Sequence, residues 1–270
     1  IDYYNTQTDD TNVQVLDEIG RCNKTKSYIW CYRGGGTKPG IVYEYQETRG
    51  GYHAEEFLSG FKGYLQSDAY SGYNFANKDD GIIRVGCMAH ARRKFADIIK
   101  ISKTNGLAHE AIKFFKVLYK IEKEARESNA TSSERFALRN AKAKTILTAF
   151  KAWLDINLTK TPVQSRIGEA IRYTLSNWDL LNNYLKDGRI EIDNNLLENA
   201  IRPFAVGRKN WLFMGSLSGA KAGAIFYSLI ETCKANNIEP YQYLCLMLHR
   251  IRECVIDDDY HKLLPQFIQI

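Results

Sequence analysis

Asp9 and Asp10 close a short Tyr- and Thr-rich run, "IDYYNTQTDD"; Asp68 closes another, "YLQSD"; and Glu198 sits inside "IDNNLLENAIRP". Strand ends that converge on one edge of a sheet are where catalytic groups gather. Two or three carboxylates there repel one another strongly unless a divalent cation neutralises them. Oxygen-only ligands suit Mg²⁺ or Mn²⁺, and a site with two such ions about 4 Å apart activates water or a 3′-hydroxyl for in-line attack on a phosphodiester. The surroundings of Glu198 suit that chemistry. Asn194 and Asn195 bring uncharged amides that can donate without disturbing the local charge, and Arg202, Arg208 and Lys209 add positive charge close by. The chain carries 31 acidic residues, and most acids in any protein are solvated or cap helices. Spacing alone therefore does not single out these positions.

The elements that must hold them are partly readable. On a helical wheel Asn194, Asn195, Glu198 and Arg202 share one side and Leu197, Ala200 and Ile201 the other. Asp193 is the predicted N-cap, and Pro203 is predicted to end the helix. "KSYIWCYRGGG" and "GIVYEYQETRGG" are β-rich runs bounded by glycines, which with the opening residues predict two or three antiparallel strands. "HAEEFLSGF" has helical spacing. In "GIIRVGCMAHARRKFADIIK" a strand through Ile82, Ile83 and Val85 gives way to a helix near His90. From Leu107 to Leu185 amphipathic patterns such as Ala111, Phe114, Phe115, Leu118 and Ile121 predict an all-helical block. Two more helices are expected, over 219–236 and 240–255.

The chain of 270 residues is 44% hydrophobic and 12% aromatic, enough for a sizeable core. A net charge of +6 and a pI near 8.9 favour a polyanionic partner without demanding one. No apolar run of about 18 residues and no charged-then-apolar leader occurs, so a soluble, cytoplasmic protein is expected. The first residue, Ile1, suggests a processed chain or a piece of a longer one. Six scattered cysteines suit reduced thiols. Cys87 and His90, with Cys245 and His249, make four zinc ligands on paper, but their flanks lack a knuckle pattern and buried thiols are the expectation. "YRGGGTKPG" lacks phosphate-loop spacing and reads as a hairpin turn. Arg92, Arg93 and Lys94 form a basic cluster, either facing DNA or solvated, and His90 either assists chemistry or is structural. Trp211 is expected to pack rather than stack on a base, because "WLFMG" reads as a buried strand or turn.

"TDDTNVQVL", "GYLQSDAYSGYN", "VGCMAHARRKF" and "IDNNLLENAIRPFAVGRKNWLFMGS" resemble the motifs of bacterial insertion-sequence DNA transposases, the insertion-sequence-sixty-six family in particular. The similarity runs in order from about Thr8 to Leu248, the helical block matching in length and character only. The resemblance implies an α/β, ribonuclease-H-like core, a mixed sheet flanked by helices. Residues 1–105 would form its first part, 106–188 an all-helical insertion, and 189–270 the catalytic helix and its completion. It implies a catalytic, metal-binding triad of Asp9, Asp68 and Glu198 around two Mg²⁺ or Mn²⁺ ions. Asp10 stands where the family usually has glutamate, so Asp10 is the alternative first ligand. Arg202, Arg208, Lys209, Arg92 and Arg93 would bind DNA, with Asp10, His90, Asn194 and Asn195 as auxiliaries. Asn199 replaces a common family arginine, which weakens one DNA contact and leaves the metal site intact. Transposon ends and target DNA would be the partners of a homo-oligomer assembled on DNA, in a cytoplasmic, nucleoid-associated protein. Water would cut the strand at the element end and the freed 3′-hydroxyl would attack target DNA. Two alternatives stay open: a nuclease of the same fold without strand transfer, and a non-catalytic DNA-binding or assembly module.

Overall fold

The computed structural model describes residues 3–78, 81–102 and 105–268. The chain is mixed α/β. Its elements are β1 (Asn5–Gln14), β2 (Lys26–Gly34), β3 (Ile41–Gln46), α1 (Gly51–Phe57), β4 (Gly63–Ser67), β5 (Ile82–Gly86), α2 (Met88–Ile101), α3 (Leu107–Glu127), α4 (Ser132–Leu138), α5 (Lys144–Leu158), α6 (Arg166–Ser176), α7 (Trp178–Asn182), α8 (Asn195–Trp211), α9 (Leu217–Ala235), α10 (Pro240–Arg250) and α11 (Asp257–Lys262). Two compact units result: Ile1–Gly63 with Ser71–Gly81 and Asn195–Ile270, and Tyr64–Tyr70 with Ile82–Asn194. Among the described residues no helix is long and apolar enough to cross a membrane.

In the first unit β1, β2 and β3 form an antiparallel meander with β2 in the middle. The opening run and the first two residues of "VQVLDE", which look like separate short pieces in the sequence, join into one strand of ten residues because the acids between them stay in the ladder, Asp9 opposite Cys31 and Asp10 opposite Trp30. The glycine-rich stretch is the expected hairpin turn, closed by Gly34 N–H donating to the Gly40 carbonyl at 2.9 Å. Gly36 sits there at φ +101°, where a side chain would be strained.

Helices α8 and α9 cover one face of the meander, where Val13, Ile29, Tyr43, Leu197, Phe204 and Ala224 make a common core. The outer edge of β3 is closed by side chains of α9 one turn apart. Thr232 Oγ1 accepts from Ile41 N–H at 2.9 Å and Ser228 Oγ from Tyr43 N–H at 2.7 Å, while Asn236 Nδ2 donates to the Pro39 carbonyl at 2.8 Å. An edge strand so covered offers no template for pairing with another chain.

Helix α8 does not stop at Pro203, contrary to the sequence expectation; it runs on to Trp211. An internal proline costs roughly 3 kcal/mol, and burial on both sides of it offsets that. Leu197, Ala200 and Ile201 precede it, and Phe204 follows, fully buried against Tyr43, Tyr227 and Trp211. Beyond α8, "WLFMG" forms a turn, with Met214 joined to β1 through Met214 N–H to Gln14 O at 2.9 Å. Leu212 and Phe213 are exposed, not buried as the run suggests, because Leu212 at φ +63° turns the chain outward.

In the second unit β4 and β5 are neighbours, and α2 to α7 pack around Phe95, Phe115, Phe150, Leu154 and Ile171. The stretch from α3 to α7 is helical, as its periodicity predicts, with a π-helical turn over Arg139–Ala143. That turn carries a side chain the periodicity does not reveal. Arg139, wholly buried, donates to both carboxylate oxygens of buried Glu122 at 2.8 Å and to the carbonyls of Tyr184, Asp187 and Ile190 at 2.9, 2.8 and 2.7 Å.

Candidate active site

Side chains alternate along a strand, so Gln7, Asp9, Thr11 and Val13 share one face of β1 and Thr8, Asp10 and Asn12 the other. The first face meets α8. Gln7 Oε1 accepts from Leu197 N–H at 3.2 Å near the start of the helix, and Arg208 near its end donates to Thr11 Oγ1 at 3.1 Å. Val13 packs into the core with Leu197, Ile201 and Phe204. Asp9 therefore faces α8 on a strand pinned on both sides of it. Its carboxylate accepts from Asp10 N–H at 2.8 Å. It also lies near enough to Cys31 to help burial, the larger cause, push that thiol well up.

Asp10 belongs to the opposite face. Both its carboxylate oxygens accept from Arg49 Nε, at 2.8 and 2.9 Å, and its side chain is 5% exposed. Around it on that face, Thr8 Oγ1 and Tyr73 OH share a hydrogen bond of 3.2 Å, and Trp30 meets Tyr73 edge-on at 5.9 Å. The two adjacent acids thus sit in different settings. Asp10 is matched by a guanidinium, and Asp9 is turned to the helix that carries the glutamate.

Glu198 lies in the first turn of α8, half-buried, next to buried Leu197. A carboxylate there interacts favourably with the positive end of the helix dipole. Arg202 and Lys209 are exposed along the same helix, whereas Arg208 is half-buried and ties the helix to β1. Trp211 packs on Phe204, ring centroids 5.3 Å apart, as expected.

The approach to α8 is anchored in the second unit. Ile192 O accepts from Met88 N–H at 3.1 Å, Glu191 O from Gln66 Nε2 at 2.9 Å, and the Glu191 carboxylate pairs with Arg135 at 2.9 Å. The helix begins at Asn195, two residues after Asp193, whose carboxylate accepts from Tyr119 OH at 2.6 Å. Asn195 is exposed, while Asn194 is fully buried with neither amide atom hydrogen-bonded.

Asp68 stands directly after β4, also in the second unit. Its carboxylate accepts from Tyr70 N–H at 2.9 Å, a tight turn that holds the side chain in place. Burial first, then the Asp68 carboxylate, pushes the Tyr173 hydroxyl up to about 12. Nearby in sequence, α2 opens after buried Cys87. His90 Nε2 lies 3.4 Å from Arg93 Nη1, and Arg92, Arg93 and Lys94 are exposed. Of the other paper zinc ligands, Cys245 is exposed rather than buried. Gln7 and Arg49 are site residues that sequence reading passes over. Gln7 could have been found from its two-residue offset from Asp9; Arg49, 39 residues from Asp10, left no local signal.

Comparison with known proteins identifies the family. The family described as Transposase IS66 family matches residues 4–222, and the IS66 C-terminal element matches residues 228–266. The chain is similar to three uncharacterized proteins of Sinorhizobium fredii (strain NBRC 101917 / NGR234). It is 37% identical to y4qI over 91% of the chain, 34% identical to y4hP over 91%, and 32% identical to y4jD over 90%. It spans about half the length of these relatives, 47%, 47% and 49% respectively. With one family covering most of its length and that family's C-terminal element covering the rest of the helical end, the chain belongs to the IS66 family of transposases.

Proposed function

We propose that the chain is the catalytic part of a DNA transposase, of ribonuclease-H-like type, in which Asp9, Asp68 and Glu198 hold divalent cations for DNA strand cleavage and strand transfer. The observation that carries this reading is the division of labour on β1: Asp9 faces the helix bearing Glu198, while Asp10 is matched by Arg49 on the other side. Asp9, on the face of β1 that meets this helix, is therefore the acid assigned to the triad. The donors fit the implied ions, since all three supply hard oxygen.

Bound Mg²⁺ or Mn²⁺ ions supply activation of the attacking oxygen and neutralise charge at phosphorus. The protein's own contribution is positioning. Gln7 and Arg208 fix α8 along β1, so Glu198 and Asp9 keep their relative placement through the reaction. Exposed Arg202 and Lys209 hold DNA phosphates, and exposed Asn195 offers an amide to a phosphate or water. The unpaired, buried amide of Asn194 is suited to an ordered water. In the first step water adds at phosphorus and the bond to the 3′-oxygen breaks, leaving a 3′-hydroxyl and a 5′-phosphate. In the second that hydroxyl displaces the 3′-oxygen of a target strand.

The test is cleavage by the full-length protein of duplexes spanning the borders of the genomic segment that encodes it, with Mg²⁺ or Mn²⁺. Cut and joined strands are expected, and Glu198→Gln should abolish both. Cut ends without joined strands would mean a nuclease, and full metal-dependent cleavage by Glu198→Gln would overturn the triad.

A further inference from the structure

We propose that the cleft between α2 and α3 is a second DNA-binding surface, one that grips the backbone of duplex DNA without reading its sequence; it rests on the DNA-transposase reading and adds where the duplex is held. The cleft, of about 640 Å³, lies wholly within the second unit. Arg92 and Lys100 line it from α2, and His109, Lys113 and Lys116 from α3, over a floor that includes Ile99 and Ile112.

Its charge is one-sided. The acid in its lining, Glu110, accepts from Trp153 Nε1 at 2.9 Å. Lys100 contacts Asp97 at 2.7 Å, but their side chains are 72% and 57% exposed, and such a pair holds a lysine only weakly. Among the described residues no ion pair engages Arg92, Lys113 or Lys116. Like charges on two facing helices repel, and a polyanion relieves that repulsion. The N-terminal end of α3, a helix of 21 residues, opens onto the same cleft at Gly106 and adds its positive dipole end.

Shape and composition select the ligand. Arg92 and Lys100 are eight residues apart on α2, a span of roughly 12 Å at the helical rise, and Lys113 and Lys116 form a second cationic rail across from them. A rail of about 12 Å on α2, faced on α3 by basic side chains spread over roughly 10 Å from His109 to Lys116, addresses successive phosphates, not one small anion. No Phe, Tyr or Trp is among the described lining residues, so the stacking platforms that single-stranded sites use are missing. Arg92, which the resemblance already marks for DNA, thereby acquires partners on a neighbouring helix.

Anisotropy of a random-sequence duplex with the full-length protein, in EDTA and over a KCl series, tests this without any cleavage. Lys113→Ala/Lys116→Ala changes two exposed side chains. It should lower the slope of log K against log[salt] by about 2 and weaken binding by roughly tenfold or more at 0.1 M salt. Lys120→Ala/Lys123→Ala, equally exposed on α3 but outside the cleft, should leave slope and affinity close to wild type. An unchanged slope in the first variant, or equal losses in both, overturns the cleft assignment. Absence of duplex binding by the wild-type protein would overturn the DNA reading as well.

Discussion

Arg139→Met is the sharpest probe of how the second unit is held together. The guanidinium is wholly buried and makes five hydrogen bonds, two to Glu122 and three to the carbonyls of Tyr184, Asp187 and Ile190, with the Tyr184 ring 4.9 Å away. Methionine fills similar space but donates nothing. It would leave the Glu122 carboxylate, 2% exposed, with Arg135 Nε at 3.4 Å as its remaining cation, and three carbonyls without this donor. Breaking a buried ion pair from one side costs about 3–5 kcal/mol, and the carbonyls add to this less than additively. A loss of about 4 kcal/mol corresponds to a fall in Tm of roughly 8–16 °C. The assay is thermal unfolding followed by circular dichroism. Adding Glu122→Leu removes the stranded charge, so the double variant should be more stable than Arg139→Met alone. A single-variant loss under about 1 kcal/mol, or a double variant worse than the sum of the singles, would refute the reasoning. The segment at stake is tightly fitted: a Cβ on Gly188 would come within 1.8 Å of the Ser132 carbonyl oxygen. The same segment leads directly into α8.

Two further outcomes follow from buried groups. Burial raises the Glu44 carboxyl above its usual range, with Glu56 adding to the rise. A raised folded pKa means stability that is fully present below the unfolded value, about 4.5, and lost as pH climbs through the folded one. Glu44→Gln should thus be the more stable protein at pH 7, with the advantage vanishing near pH 4; a variant equally or less stable at pH 7 would contradict the assignment. Thiol labelling should find Cys22 and Cys245 reactive in the native protein and Cys31, Cys87 and Cys233 silent until it unfolds. Burial is the main reason that Cys31 is raised well above the usual thiol range and Cys233 is pushed up to about 12. Native-state labelling of Cys31 would count against the packing of the meander.

What the sequence reveals is what depends on near neighbours. The hairpin at the glycine run, the strand-to-helix change before His90, the helical block and the apolar stripe of α8 all rest on local periodicity or turn chemistry, and all appear. What it hides depends on distant partners. Pro203 is a local stop signal overridden by Phe204, whose burial partners Tyr43 and Tyr227 lie far along the chain. Asp193 carries the right side chain for a cap, but its bond to Tyr119, 74 residues away, leaves no local signal. Which of Asp9 and Asp10 faces the helix is hidden for the same reason. A strand's period of two says that they face opposite ways, and only the helix packed by Leu197 and the arginine from beyond β3 say which way is which.

That choice is also where the functional reading is most directly exposed to measurement. Mn²⁺ should be titrated against the thermal stability of the full-length wild-type protein, Asp9→Asn and Asp10→Asn. An ion bound only by the folded state stabilises it by about 2.7 kcal/mol at a hundredfold excess over Kd. Wild type and Asp10→Asn should show that stabilisation, and Asp9→Asn should lose it. Stabilisation that survives in Asp9→Asn and disappears in Asp10→Asn would contradict the account, as would a wild-type protein that Mn²⁺ does not stabilise.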